Sequence, residues 1–110
     1  MITVTIYKKD QEIVGFQSKG HASYDVAGRD IICAAVSTLV FSTMNAIMEF
    51  TEDGCKGEVD EKRAVVKFRL TTNEPSNETR VLLKAFELGV LKIAKEKGNA
   101  RYLCIKVKEV

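Results

Sequence analysis

From Ile31 to Met48 the chain carries no formal charge, and this run limits the folds open to it more than any other stretch. Wound as a helix at about 1.5 Å per residue, it approaches the thickness of a bilayer's hydrocarbon core. Its polar residues argue for a domain instead. Ser37, Thr38, Ser42, Thr43 and Asn45 fall mostly on one side of the helical wheel, the pattern of a helix half-buried in a domain or a subunit interface. No membrane partner is expected. Asp30 is a good N-cap for this helix, because a carboxylate there accepts from backbone N–H groups two or three residues on. The helix is expected to reach about Phe50 and to end at Glu52-Asp53-Gly54, with Ala34, Ala35 and Ser37 small enough to admit other backbone closely.

Such a helix needs an apolar surface to cover, and the flanking sequence supplies strands. Ile2, Val4 and Ile6 alternate with Thr3, Thr5 and Tyr7, the period of a half-buried strand. Lys8 to Gln11 reads as a turn, and Glu12 to Lys19 as a second strand closing a hairpin, with Gly15 marking a bulge or a close backbone approach. A short strand around Glu58 to Asp60 turns through Glu61-Lys62-Arg63 into Ala64 to Thr71, where Val66, Phe68 and Leu70 oppose Lys67 and Arg69. Asn73 to Glu78 supplies turn and capping residues for a second helix. Its expected stripe is Val81, Leu82, Phe86, Val90, Ile93 and Ala94, broadened by Leu83 and Leu91, with Lys95, Lys97 and Gly98 at its end. Leu103, Ile105 and Val107 make a closing strand. The expected fold is α+β: one domain over residues 1–110, a mostly antiparallel sheet of about five strands in ββαββαβ order, covered by two helices.

Composition excludes several function classes. The net charge of +2 on 110 residues does not by itself call for nucleic acid, and no direct nucleic-acid partner is expected. Cys33, Cys55 and Cys104 are widely spaced and odd in number, which suggests neither a disulfide framework nor a zinc site. A reducing, cytoplasmic setting fits. The alternating N-terminus has no basic region followed by an apolar run, so no signal peptide is expected. Gly15, Gly20 and Gly28 form neither GxGxxG nor a Walker spacing, and one histidine is too little for a metal site, so no cofactor is expected.

What remains is the segment between the first hairpin and the apolar helix. From Gly20 to Arg29 it has no regular pattern, and connections of that length are usually functional or disordered. It holds His21, the single histidine, and leads to Cys33 at what would be the third helical position. There the free N–H groups and the positive end of the helix dipole would favour a thiolate. A cysteine and a histidine brought together can act as nucleophile and base. The competing reading makes His21 a surface residue and Cys33 a small core residue, and Asp25 and Asp30 a loop solvator and a helix cap.

Gly20-His21-Ala22, the run Gly28-Arg29-Asp30-Ile31-Ile32-Cys33-Ala34-Ala35-Val36-Ser37, and the order of strands and helices resemble the ribosomal-processing cysteine protease family. The resemblance covers essentially the whole chain. It implies a homodimeric endopeptidase that removes a short N-terminal extension from a bacterial large-subunit ribosomal protein, cutting after an aromatic residue. It makes Cys33 the nucleophile and His21 its general base, with Asp30 or Ser37 orienting the pair. Gly20, Ala22, Ser23, Tyr24, Asp25, Gly28 and Arg29 would then form a moving, substrate-binding loop hinged at the two glycines. A reading of a different class is a non-catalytic ribosome-assembly or RNA-associated module whose Lys8, Lys9, Lys92, Lys106 and Lys108 touch phosphate. A third is a small amidase or thioesterase using the same pair.

Overall fold

The computed structural model describes residues 1–20 and 27–110. Strand β1 (Ile2–Lys9) pairs antiparallel with β2 (Glu12–Lys19), and the alternation read from the sequence holds: Ile2, Val4 and Ile6 are buried and the residues between them are not. The reversal is Asp10-Gln11 alone, both at positive φ (52° and 70°), the backbone that matches the twist of a two-residue hairpin. Lys8 and Lys9 belong to β1 rather than to the turn. The pairing slips beyond Tyr7, which opposes Gly15 while Lys8 opposes Ile13, so Val14 is the extra residue of a bulge. Gly15 itself is the close approach: a Cβ there would lie 2.5 Å from the carbonyl oxygen of Phe68.

Helix α1 (Ala27–Phe50) is followed by β3 (Cys55–Asp60), β4 (Val65–Leu70), α2 (Asn77–Lys95), a short 3-10 turn at Asn99–Arg101, and β5 (Leu103–Glu109). The sheet order is β3-β4-β2-β1-β5. Three of the pairings are antiparallel and the fourth, β1 with β5, is parallel, so the sheet is mixed and the expected ββαββαβ order stands. Strand β3 begins at Cys55, three residues before the stretch expected from the sequence.

Both helices cover one face of the sheet. Ile32, Val36, Val40, Met44 and Ile47 of α1 and Leu83, Phe86 and Val90 of α2 share a core with Phe16, Phe68 and Leu103 from the strands. Ile31–Phe50 is long and apolar enough to cross a bilayer by length and composition, and in this fold its inner side is spent on that core. Ser37, Thr38, Ser42 and Asn45 are exposed, as the wheel requires. Thr43 is not: it is buried, and its hydroxyl donates to the Leu39 carbonyl 2.6 Å away, satisfying itself within the helix. On α2 the stripe is centred on Leu83, and Val81 points outward, 63% exposed.

The α1–β3 connection and the start of α2 are tied by one carboxylate. Asp53 accepts from the Ser76 backbone N–H (3.1 Å), from the Ser76 hydroxyl (2.6 Å) and from the hydroxyl of the fully buried Thr79. Ser76 is the N-cap of α2, accepting in turn from the Thr79 N–H.

Candidate active site

Strand β2 ends at Lys19 and is followed by Gly20. Gly20 donates its N–H to the Ala64 carbonyl (2.9 Å) and holds φ at 102°, a backbone that side chains resist. A Cβ on Gly20 would also press on the Met1 carbonyl oxygen. Gly20 is therefore pinned to the start of β1 and to the turn before β4. Neither anchor was visible in the sequence, because both partners are remote along the chain.

Helix α1 starts at Ala27, earlier than expected, which corrects three readings. Asp30 is the fourth residue of the helix and not its cap. Gly28 and Arg29 lie in the first helical turn, so they are not loop residues and Gly28 is not a hinge at the loop's end. Cys33 is the seventh helical residue, past the first turn, where the dipole's influence and the free N–H groups have been left behind. An aspartate fits a first turn as well as a cap, and the helix takes Ala27-Gly28-Arg29 in ahead of it. His21, Ala22, Ser23, Tyr24 and Asp25 lie outside the described residues.

Cys33 is half-buried and packs against the core beside buried Ile32, while Ile31 on its other side is 71% exposed. Positions 30, 33 and 37 are spaced i, i+3 and i+7, so they share one stripe of α1. Ser37 is exposed one turn beyond the thiol. The geometry offers a thiol at the margin of the core, with a hydroxyl on the same stripe and a glycine-anchored strand end entering the connection that leads to it.

The other two thiols stand elsewhere. Cys55 begins β3 and packs on the core; burial, and then the negative charge of Asp53, push its pKa up and hold it as a thiol. Cys104 opposes Thr3 on the sheet face away from the helices. All three are free, and among the described residues no cluster of three or more His, Cys, Asp or Glu could hold a metal.

A family model described as cysteine protease Prp matches residues 1–101. Over 49 residues the chain is 39% identical to the ribosomal processing cysteine protease Prp of Bacillus subtilis, covering 44% of each chain. Over 54 residues it is 37% identical to the protein of that name from Staphylococcus aureus, covering 48% of this chain and 51% of that one. The chain thus spans about half the length of the curated relatives it matches. A crystal structure of an essential ribosomal processing protease Prp from S. aureus, with a covalently linked product peptide, is similar throughout. It gives a TM-score of 0.85 at 25% identity, covering 98% of this chain and 100% of that one. The family model spans nearly the whole sequence and the fold is similar throughout, and the chain belongs to the cysteine protease Prp family.

Proposed function

We propose that this chain is a cysteine endopeptidase that removes the short N-terminal extension of a large-subunit ribosomal protein, with Cys33 as nucleophile and His21 as general base. The observation that carries the reading is the position of Cys33: it is a half-buried thiol on the helix that follows the Gly20 anchor, whereas Cys55 is held protonated and Cys104 lies on the opposite sheet face. Family membership and the peptide complex of the S. aureus relative support the substrate class.

In this mechanism His21 takes the Cys33 proton and the thiolate attacks the scissile carbonyl. The imidazolium returns the proton to the departing amine, leaving an acyl-thioester on Cys33. Water, deprotonated by His21, then hydrolyses the thioester and frees the carboxylate and the thiol. Ser37, and Asp30 through its place on the same stripe, are positioning residues for the pair. The enzyme works in the cytoplasm as a homodimer, a state supported by the uncharged outer side of α1, where Ile31, Phe41 and Met48 are exposed.

The test is cleavage of a peptide spanning the extension by wild type, Cys33→Ala and His21→Ala. Loss of cleavage in both variants, with Cys55→Ser and Cys104→Ser active, is expected. Equal cleavage by all would overturn the assignment, and light scattering giving a monomer would remove the dimer from it.

A further inference from the structure

The face of the sheet that the helices leave open gathers positive charge that the sequence keeps scattered. Register across the five strands sets three rows on that face. One runs Lys56, Arg69, Gly15, Tyr7, Lys108. The next runs Glu58, Lys67, Gln17, Thr5, Lys106, and the third Asp60, Val65, Lys19, Thr3, Cys104. Six exposed cations stand there against two carboxylates, a surplus of four charges on a chain whose formal net charge is only +2. One of the two carboxylates, Asp60, already faces Arg63 at 3.8 Å. Among the described residues, none of the six cations is in an ion pair.

Two details separate this face from an ordinary solvated one. Lys56 and Arg69 are directly opposed on neighbouring strands, an arrangement of like charges that weakens a sheet and that swapping either residue would relieve. Beside them is a hollow of about 250 Å³ with Gly15 in its lining, bordered by Tyr7, Gln17, Lys67, Arg69 and Val110. Gln17 and Lys67 also line a second, wider hollow, bordered by Lys19 and Arg63 together with Glu58 and Asp60, so the two adjoin on the sheet. A small hollow with a half-buried tyrosine at its wall and cations on both sides has the parts of a single-strand site: a ring for a base to stack on and ammonium or guanidinium groups for the phosphates.

The geometry points to a docking surface for single-stranded RNA on the open sheet face, with Tyr7 stacking a base and Lys56, Lys67, Arg69, Lys106 and Lys108 holding the backbone. Charge complementarity selects this occupant, since a cationic polypeptide is repelled by the same face. The surface is independent of Cys33 chemistry, and it runs against the expectation, drawn from net charge, of no nucleic-acid partner. It also revises which residues would meet phosphate: Lys8, offered by the sequence, is paired to Glu87 at 3.0 Å on the helix side.

The experiment is fluorescence anisotropy of a labelled single-stranded oligouridylate with the full chain. Saturable binding is expected, falling about 50-fold between about 50 and 200 mM salt if about four phosphates are held. Tyr7→Ala should weaken it about tenfold. Lys56→Glu should weaken binding while raising the melting temperature, a pairing of effects that a merely structural lysine would not give. Lys92→Glu on α2 should leave binding unchanged. The inference is overturned by absence of saturable binding at low salt, by wild-type affinity in a Lys56→Glu, Lys67→Glu double variant, or by equal weakening from Lys92→Glu. Equal affinity for a polyglutamate peptide or for phosphatidylserine vesicles would overturn it as well.

Discussion

Phe86 carries α2 onto the sheet through a row of three rings. Phe16 lies between Phe86, with centroids 4.2 Å apart, and Phe68, 5.2 Å apart, and both pairs are stacked with planes inclined by 24°. Phe86 is 1% exposed. Replacing it with alanine removes nearly a whole buried ring and leaves a cavity bounded by α2 and β2, a change that costs about 3–5 kcal/mol. Phe86→Leu keeps most of the apolar contact and forfeits the ring pairing, about 0.5–1.5 kcal/mol, with a further loss for misfit that brings it to about 1–2 kcal/mol. A domain of this size has a total stability of about 6–16 kcal/mol, so the alanine variant gives up a large fraction of it. The unfolding entropy per residue converts 1 kcal/mol to about 4 °C here, giving a drop of about 13–22 °C for alanine and about 4–9 °C for leucine. Urea unfolding followed by circular dichroism measures both, with the slope unchanged because both states keep their extent. A loss below about 1 kcal/mol for Phe86→Ala, or a leucine variant as damaged as the alanine one, would refute the clamp.

Three further outcomes follow from the same contacts. The Ser76 hydroxyl, then the Thr79 hydroxyl, hold the Asp53 pKa below the ordinary carboxylate value. Unfolding lets Asp53 bind a proton more readily, so its stabilisation is present above that ordinary value of about 3.9 and is lost as pH falls through the lower folded one. Stability measured against pH should therefore lose part of its acid limb in Asp53→Asn, and an unchanged limb would contradict the network. Alkylation of Cys55 should need a pH above that of an ordinary thiol, and Asp53→Asn should move the midpoint down; a midpoint insensitive to Asp53 would discard its charge as a cause. Gly20→Ala should cost about 1–2 kcal/mol by thermal melting, because its positive φ and the Met1 carbonyl both oppose a Cβ, and a neutral result would refute the anchor.

Much of the fold was legible because it rests on short-range pattern. The alternation of Ile2, Val4 and Ile6 and of Val66, Phe68 and Leu70 fixes which side of each strand is buried whatever its neighbours are. Ser76 announces the second helix by its own capping chemistry. Strand adjacency was not legible: nothing local in Ile2–Lys9 says that its second neighbour is the final strand, running parallel. That is also why the basic face escaped notice, since each strand shows its outward lysines but not which lysines share a surface. At the candidate site, the choice of Cys33 followed from its helix and from family likeness. The helix start did not, because an aspartate can cap or lie in a first turn with little difference in local energy. Gly20 was read as a hinge; the structure gives it a hydrogen bond to Ala64 and a crowded contact at Met1, which fasten it.

The parallel pairing of β1 with β5 bears on how the chain reaches this state in time. Ile2 opposes Leu103, so forming that ladder closes a loop of about 100 residues, with an entropy cost of about 4 kcal/mol in the simplest chain statistics, against about 1 kcal/mol for a hairpin reversal. The β1–β2 and β3–β4 hairpins can form early and locally, whereas the sheet cannot be finished until its last strand is available. The slowest step of folding is then the docking of β5 beside a strand made at the outset. Substitutions in Leu103 or Ile105 should slow folding more than equal losses of stability at the Asp10-Gln11 reversal if that docking belongs to the transition state.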